Sequence, residues 1–189
     1  MVKAIKPLGI KAYGKIPHLP GSKFSKDDVG LPVGEARFLL EKKKDKDDII
    51  YVTEKLDGSN VAIAKINGRL QTLQRAGYPC MSSPYKMHHM FHRWVMQRED
   101  KFLSMLNEGE RLNGEWLAQA HGTRYEIVDD LFDPFAVFDI MIGFDRIPLD
   151  ETLSRCLNHD VNVAPFLHRG GPIPIENILS KLGDRGFLS

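Results

Sequence analysis

The sequence predicts an α+β fold in which antiparallel hairpins and a few helices follow one another without regular alternation. Three observations support this prediction: a β-branched run at 49–53, a second run at 61–66 followed by Asn67-Gly68, and apolar residues at three-and-four spacing over 84–106. Because strands and helices do not alternate regularly, a parallel doubly wound sheet is not expected.

Length and composition indicate one globular domain. The chain has 189 residues, of which 42% are hydrophobic and 27% charged. We expect a single domain over 1–189, with an extended, turn-rich segment over 1–48 and a motif-bearing core over 49–141. Within the first segment, 35–41 could form a short strand or a helical turn. The net charge of +1 neither demands nor excludes nucleic acid, so any such surface must come from local clustering.

The remaining elements are predicted in order from residue 49. β-branched and aromatic residues predict a strand over 49–53, and Asn67-Gly68 joins two further strands, 61–66 and 69–74, into a hairpin. The segment 55–58 is therefore expected in the connection between two adjacent strands. The other predicted elements are a helix over 84–106, strands over 111–120 and 135–141, and short helices over 149–157 and 176–182.

Lys55 is a candidate nucleophile because it lies in a Lys-x-Asp-Gly stretch between two predicted strands. A free lysine amine has a pKa of about 10.4, so about one in 2,500 is neutral at pH 7. Burial or a neighbouring cation must therefore lower that pKa before such an amine can attack a phosphate. Gly58 would let the backbone approach a ligand, and Asp57 would offer a carboxylate to a metal or a hydrogen-bond donor. A plain surface turn also explains these four residues.

Four stretches resemble the motifs of one family and occur in the family's order. Glu54–Asn60 resembles the nucleotidyl-acceptor motif of the covalent nucleotidyltransferase superfamily, which comprises RNA and DNA ligases and mRNA-capping enzymes. The glutamate before the lysine and the Ser-Asn after the glycine make it most similar to ATP-dependent RNA ligases. Leu73–Gly77 is similar to the family's second motif, Asn113–Trp116 to the third, and Phe135–Ile140 to the strand whose aromatic residue stacks on adenine.

The resemblance implies a ligase adenylation domain, with ATP-grasp-like antiparallel sheets and flanking helices, that is incomplete at its C-terminus. It implies that Lys55 accepts AMP from ATP, that Arg75 contacts the ribose or a substrate phosphate, and that Glu115 binds the ribose or a metal. Phe138 would stack on adenine. The implied nucleotide-binding residues are Glu54, Asp57, Gly58, Asn60, Arg75, Glu115 and Phe138. From the residues alone, Arg75 is also explained as a solvated loop residue, Glu115 as an exposed carboxylate and Phe138 as a core aromatic.

The same resemblance implies ATP and Mg²⁺ or Mn²⁺ as cofactors, and RNA ends as partners, with a 5′-phosphate and a 3′-hydroxyl to be sealed. It also implies a fourth motif with a metal-binding glutamate and a fifth with phosphate-binding lysines. We find neither, because Gly170-Gly171 lacks a preceding glutamate and Lys181 lies in a predicted helix. The expectation is a piece of a longer RNA ligase or a non-catalytic nucleotide- or RNA-binding remnant. A DNA ligase adenylation domain is the nearest alternative.

Cysteine usage and hydropathy bear on the compartment. Cys80 and Cys156 are too few for a disulfide framework, which favours a reducing, cytoplasmic location. No apolar run approaches the roughly 20 residues that a membrane helix needs.

The histidine-rich stretch before residue 95 has two interpretations. His88 and His92 are four residues apart and could form half of a zinc site. An amphipathic helix under the sheet, with its histidines, Arg93 and Arg98 facing solvent or a nucleic-acid phosphate, is the favoured interpretation. The acidic cluster over 129–133 is expected to form a turn or a helix cap.

Overall fold

The structure is a computed structural model and describes residues 4–22, 26, 28–118, 125 and 133–182. The chain forms two compact units, each assembled from two stretches of sequence. The first unit combines Met1–Gly14 with Leu56–Ala164, and the second combines Lys15–Lys55 with Pro165–Ser189. The expectation of a single domain stays a prediction.

The described elements are strands and helices in mixed order. In chain order the strands are β1 (Ile50–Thr53), β2 (Ser59–Ile66), β3 (Arg69–Gln74), β4 (Glu110–Trp116), β5 (Phe135–Ile142), β6 (Asp145–Arg146) and β7 (Phe166–Gly170). The helices are α1 (Val33–Glu41), α2 (Lys86–Met96), α3 (Glu99–Met105), α4 (Leu149–Asn158) and α5 (Ile175–Leu182). The α+β class and the predicted hairpin of β2 and β3 are confirmed. Each helix in the described part of the chain is too short or too polar to serve as a membrane span.

A five-stranded antiparallel sheet organises the first unit, with the strand order β3-β2-β4-β5-β6. Successive side chains of a strand point to opposite faces, so β4 presents Leu112 and Trp116 on one side. The same alternation presents Arg111, Asn113 and Glu115 on the other side. We call the side with Leu112 and Trp116 the core face and the opposite side the polar face.

The core face packs against α2 and α3 through aromatic side chains. Met87, Phe91 and Val95 recur at a spacing of four along α2, and all three are buried. The ring centroid of Phe91 lies 5.3 Å from those of both Trp116 and Phe135. These residues belong to one hydrophobic core, so the predicted amphipathic helix under the sheet is confirmed.

The prediction of one helix over 84–106 is wrong in one respect, because the helical conformation is interrupted between α2 and α3. Arg98 leaves helical geometry with φ −126° and ψ 28°. Its guanidinium carbon lies 4.6 Å from the ring centroid of Trp94, and Nη1 donates to the Trp94 carbonyl oxygen at 3.2 Å. The second helix that follows brings Phe102 and Met105 into the same hydrophobic core.

The polar face is covered in part by the N-terminal segment 8–14, which packs on small side chains. The buried residues of this contact are Ala12, Ala62, Ala64 and Leu73. Gly77 lies against the same segment with a φ of +90°. A Cβ atom on Gly77 would lie 2.1 Å from the carbonyl oxygen of Ile10, so this close approach requires glycine.

The second unit contains a two-stranded antiparallel sheet of β1 and β7, with α1 and α5. Its buried apolar residues are Leu40, Leu167 and Ile178. The open choice at 35–41 is decided in favour of a helix, because Ala36 and Leu40 are both buried at a spacing of four. This helix interrupts the extended segment that the turn-rich composition of 1–48 predicts.

The pairing of β1 differs from the prediction. β1 pairs with β7, with Tyr51 opposite Arg169, and β2 pairs with β3 and β4. The side chains of Ile50 and Val52 pack against the cluster that contains Leu167, which explains why β1 pairs with a strand distant in sequence. The connection after β1 therefore joins strands of two different sheets, and the expectation of adjacent strands is wrong.

Candidate functional site

Parts of the first and third predicted motifs meet at the start of β2. Gly58 donates its backbone N–H to Glu115 Oε1 at 3.1 Å. The strand register then places Asn60 directly opposite Glu115. A Cβ atom on Gly58 would lie 2.4 Å from the carbonyl oxygen of Trp116, so the approach of these strands requires glycine. Three of the implied nucleotide-binding residues thus lie side by side.

Two asparagine side chains on the polar face carry buried oxygens that no described donor reaches. Asn60 Oδ1 and Asn113 Oδ1 are both inaccessible to solvent and have no hydrogen-bond partner within the described ranges. A buried carbonyl oxygen without a donor costs about 1–3 kcal/mol. Asn60, Asn113 and Glu115 share one face of the sheet, but only Asn60 and Glu115 are partly exposed, so a ligand on this face would meet these two and not Asn113.

Backbone hydrogen bonds hold the residues on either side of the candidate nucleophile Lys55. Lys55 is exposed and is the last residue of the second unit before the chain enters the first. Glu54 donates its backbone N–H to the carbonyl oxygen of Pro165 at 2.8 Å. Asp57 donates its backbone N–H to the Tyr125 hydroxyl at 2.5 Å. The chemical roles of Glu54, Lys55 and Asp57 stay predictions.

Arg75 follows β3 and contacts the N-terminal segment. Its guanidinium donates to the carbonyl oxygen of Gly14 at 3.0 Å. Its own carbonyl oxygen accepts the backbone N–H groups of Ala12 at 3.1 Å and of Tyr13 at 3.3 Å. The side chain is exposed, so guanidinium donors that Gly14 does not occupy could reach a phosphate or a ribose.

Phe138 lies at an irregularity of β5. In the register with β4, Asn113 pairs with Asp139 and Gly114 pairs with Val137, so Phe138 is an extra residue. Such a bulge changes the alternation of side chains locally, and bulges are frequent next to active sites. Here it lets two consecutive residues, Phe138 and Asp139, contact the same tyrosine from the N-terminal segment.

That tyrosine, Tyr13, forms a network that the sequence did not predict. Its hydroxyl donates to Asp139 Oδ2 at 2.5 Å, and Arg146 Nε donates to the same oxygen at 2.9 Å. Arg146 Nη2 also donates to the Tyr13 hydroxyl oxygen at 3.2 Å. Burial, together with Asp139, raises the pKa of Tyr13 to about 12, although Arg146 opposes this shift. The only sequence pattern that points here is the carboxylate of Asp139 inside an otherwise apolar strand.

Arg111 is a second residue that sequence reasoning missed. Its side chain is only 2% exposed, although arginine is rarely buried without a partner. Nε donates to the Ala12 carbonyl oxygen at 2.7 Å, so the buried guanidinium fixes the N-terminal segment. Burial, with a smaller contribution from the charge of Arg146, lowers the pKa of Arg111.

The histidines of α2 are half-buried and not fully turned to solvent as expected, whereas Arg93 is exposed. His88 Nδ1 is 2.6 Å from Ser83 Oγ, and His92 Nδ1 is 2.9 Å from Thr72 Oγ1. Burial, together with the nearby charge of His89, lowers the pKa of both His88 and His92. Polar partners within the protein account for their half-buried positions.

Acidic residues and metal ligands complete the candidate surface. Asp133 pairs with Arg98 at 3.5 Å and with Lys101 at 3.9 Å, while Asp129 and Asp130 lie outside the described residues. No group of three or more histidine, cysteine, aspartate or glutamate side chains with metal-site geometry occurs within the described ranges. The metal role that the resemblance implies for Glu115 stays a prediction.

Comparisons with known proteins relate this arrangement to nucleic-acid ligases. The sequence model of a family described as RNA ligase matches residues 48–186. A mutant RNA ligase of Naegleria gruberi, solved with ATP and Mn, is similar over 94% of this chain with 18% identity and a TM-score of 0.58. The same ligase with PPi is similar over 71% of this chain with 20% identity and a TM-score of 0.55. An archaeal ATP-dependent RNA ligase covers 78% of this chain with 19% identity and a TM-score of 0.48.

The chain matches only part of each of these solved structures. The matched regions are 52%, 41% and 36% of the three solved chains, so this chain spans about a third to a half of their length. At such identities the Naegleria structures show a common fold, and they confirm the predicted fold of a ligase nucleotidyltransferase domain. No curated protein sequence matches the chain.

Proposed function

Because the chain belongs to the RNA ligase family, we propose that Lys55 forms a covalent lysyl-AMP intermediate with ATP. The neutral amine of Lys55 attacks the α-phosphorus, a nitrogen–phosphorus bond forms, and the bond to the β-phosphate oxygen breaks. Pyrophosphate leaves and the amine loses a proton. The observation that carries this proposal is the contact of Gly58 with Glu115. Gly58 belongs to the same motif as Lys55, and Glu115 belongs to the motif that resembles a ribose- or metal-binding site.

The later steps transfer AMP to an RNA end. The 5′-phosphate of RNA attacks the phosphorus of lysyl-AMP and releases the lysine, which leaves an adenylylated 5′ end. A 3′-hydroxyl then attacks the 5′-phosphate and expels AMP, which seals the strand.

The two free cysteines, Cys80 and Cys156, suit the cytoplasm as the place of this reaction.

Four residues are proposed to hold the nucleotide on the polar face. Phe138 stacks on adenine, Glu115 and Asn60 bind the ribose, and Arg75 contacts the ribose or a substrate phosphate. The exposed guanidinium of Arg75 supports its role, and so does the Oδ1 of Asn60, which has no partner among the residues that the structure describes. Stacking and directed hydrogen bonds would position the α-phosphate for in-line attack.

Two carboxylates, one just before β2 and one on β4, suit a divalent cation. The carboxylates of Glu115 and Asp57 are the hard ligands that Mg²⁺ and Mn²⁺ prefer, and both side chains are half-buried. A cation bound there would neutralise part of the negative charge of the ATP triphosphate. Glu115 is the better candidate of the two, because Gly58 already fixes one of its carboxylate oxygens.

The preference for RNA over DNA rests on the resemblance of the motif in this proposal. Ser59 and Asn60 together make the motif similar to RNA ligases, yet Ser59 is buried on the core face and its hydroxyl donates to the Met87 sulfur at 2.7 Å. Only Asn60 of this pair lies on the polar face, and its proposed contact there is with the ribose of ATP, so the geometry does not itself distinguish RNA from DNA. A DNA ligase adenylation domain is the alternative within the class.

A non-catalytic nucleotide-binding remnant is the second candidate function. It is favoured by the missing fourth and fifth motifs in the sequence after Ile140. A site without the phosphate-binding lysines and the metal carboxylate stabilises the charge of the transition state less. Each missing group lowers the reaction rate by a factor of about 10²–10³. The two candidates differ in one respect, because the remnant binds ATP without forming a covalent adduct.

Intact-mass spectrometry after incubation with ATP and Mg²⁺ separates these functions. We expect an AMP adduct on the wild-type chain, no adduct on Lys55→Ala, and a wild-type yield on Lys42→Ala, which alters an exposed lysine outside the site. ATP binding without an adduct would support the remnant. An adduct that persists in Lys55→Ala would contradict the role of Lys55.

A further inference from the structure

The short segment Ala12–Gly14 is held on the polar face by residues from two other strands. Arg75 accepts two backbone N–H groups of the segment and donates its guanidinium to the Gly14 carbonyl oxygen. Arg111, which is buried, donates to the Ala12 carbonyl oxygen at 2.7 Å. Each of the three residues therefore has a backbone group bonded to one of two arginines, and one of these arginines is a proposed nucleotide-binding residue.

The side chain of Tyr13 is fixed at its far end as well. The ring is only 7% exposed, and the hydroxyl binds the ion pair of Asp139 and Arg146. A tyrosine has two main side-chain torsions, so anchoring both the backbone and the hydroxyl leaves the ring one position. This ring is thus a rigid surface and not a mobile loop side chain.

Phe138 rests directly on this rigid ring. The ring centroids of Tyr13 and Phe138 are 4.9 Å apart, and the planes meet at 68°, which is the favourable edge-to-face geometry. Phe138 itself is half-buried and stands at the bulge of β5, where backbone pairing alone fixes a side chain less well. Its orientation therefore depends on Tyr13.

We infer that Tyr13 is a positioning residue for the purine of ATP, acting through the ring of Phe138. This inference rests on the proposed function, because it takes Phe138 as the base-stacking residue. A stacking ring that is held in place binds a base with less loss of side-chain freedom. An edge-to-face pair corresponds to an affinity difference of about two- to tenfold.

A plain structural role for Tyr13 makes a different prediction from a positioning role. If Tyr13 only anchors the N-terminal segment, its loss weakens every ligand of the polar face alike. If it acts through Phe138, its loss weakens ligands that carry a base and spares those that do not. Its effect must also vanish once Phe138 is removed, because coupled residues are not additive.

The test is calorimetric binding of ATP and of inorganic tripolyphosphate to the full chain. We expect Tyr13→Leu to raise the Kd for ATP by about fivefold and to leave that for tripolyphosphate unchanged. Tyr13→Leu should add nothing in a Phe138→Leu background. Tyr78→Leu is the matched control: Tyr78 meets Lys6 of the N-terminal segment with 5.1 Å between Nζ and the ring centroid. We expect it to lower the melting temperature without changing the Kd for ATP.

Tyr13→Phe covers the case in which Tyr13→Leu does not fold. It keeps the ring and removes only the hydroxyl that Asp139 and Arg146 hold. We expect about a twofold rise in the Kd for ATP, again without an effect on tripolyphosphate. Equal losses for both ligands, or additive losses with Phe138→Leu, would overturn the inference while leaving the proposed function intact. A wild-type chain that binds tripolyphosphate but not ATP overturns the proposed function and the inference together.

Discussion

The two faces of the five-stranded sheet belong to the same strands but carry different kinds of side chain. The core face meets α2 and α3 through closely packed aromatic rings, such as Phe91 against Trp116 and Phe135. The polar face carries Asn113 and Glu115 at alternate positions of β4, under a short N-terminal segment. The contrast teaches that one face supplies the stability of the unit, while the other keeps polar groups whose burial costs free energy.

The largest expected effect on stability comes from the core face. Phe91 is fully buried, so Phe91→Ala should lower the free energy of unfolding by about 3–5 kcal/mol, through lost contacts and a cavity. Urea titration followed by tryptophan fluorescence measures this change. Phe144→Ala is the control, because that ring is 79% exposed and its loss should change stability by less than about 0.5 kcal/mol. A loss below about 1 kcal/mol for Phe91→Ala would contradict the assignment of the core face.

The next effect belongs to the polar face and concerns activity. Glu115→Gln keeps an oxygen for the Gly58 N–H but removes the negative charge, so AMP transfer to Lys55 should slow by about 100-fold. The free energy of unfolding should change by less than about 1 kcal/mol. Adduct formation over time, followed by intact mass, measures the rate. Glu108→Gln is the control, because Glu108 binds Asn67 and Gly68 of the β2–β3 turn and should leave the rate unchanged.

A substitution at Asn113 should separate stability from binding. Asn113→Leu removes a buried oxygen that has no partner in the described part of the chain, so it should raise the free energy of unfolding by about 1 kcal/mol. The same change should leave ATP binding unchanged, because Asn113 is fully buried and a ligand on the polar face does not reach it. Urea titration and calorimetry measure the two quantities. A variant that is less stable than the wild type, or that binds ATP more weakly, would contradict this separation.

The smallest effect is a dependence of stability on pH at the end of the core face. Burial opposes the ionisation of Glu110, but hydrogen bonds from Arg155 and Asn107 outweigh it and lower the pKa of this carboxyl below 4.5. A lowered folded-state pKa contributes stability above the unfolded-state value, and this stability is lost as the pH falls from 4.5 through the folded-state pKa. Urea titrations from pH 6 to pH 3 should show a shallower loss for Glu110→Gln than for the wild type. The exposed Glu176→Gln should keep the wild-type slope.

The core face could be predicted from the sequence because its determinants are local. The alternation of apolar residues over 61–74 and the Asn67-Gly68 turn define the hairpin of β2 and β3 without any distant contact. The spacing of Met87, Phe91 and Val95 likewise defines the buried side of α2. Arg98, which lies outside helical geometry between α2 and α3, has no such local pattern, so the sequence does not predict the break.

The polar face could be predicted only in part, because its contacts join residues far apart in the chain. Gly58, Arg75 and Glu115 were found through short motifs, each of which is readable by itself. The contacts of Tyr13 with Asp139 and of Arg111 with Ala12 join residues separated by 126 and 99 positions, and no local pattern encodes them. For the same reason, nothing near β1 indicates that its partner is β7 and not β2.

The most direct test of the central claim is to locate AMP within the chain. After incubation with ATP and Mg²⁺, proteolysis and tandem mass spectrometry should place AMP on the peptide that contains Lys55. Treatment of the intact adenylylated chain with pyrophosphate, before proteolysis, should remove the AMP. AMP on a different lysine, or an unmodified Lys55 peptide from a chain that binds ATP, would contradict the account.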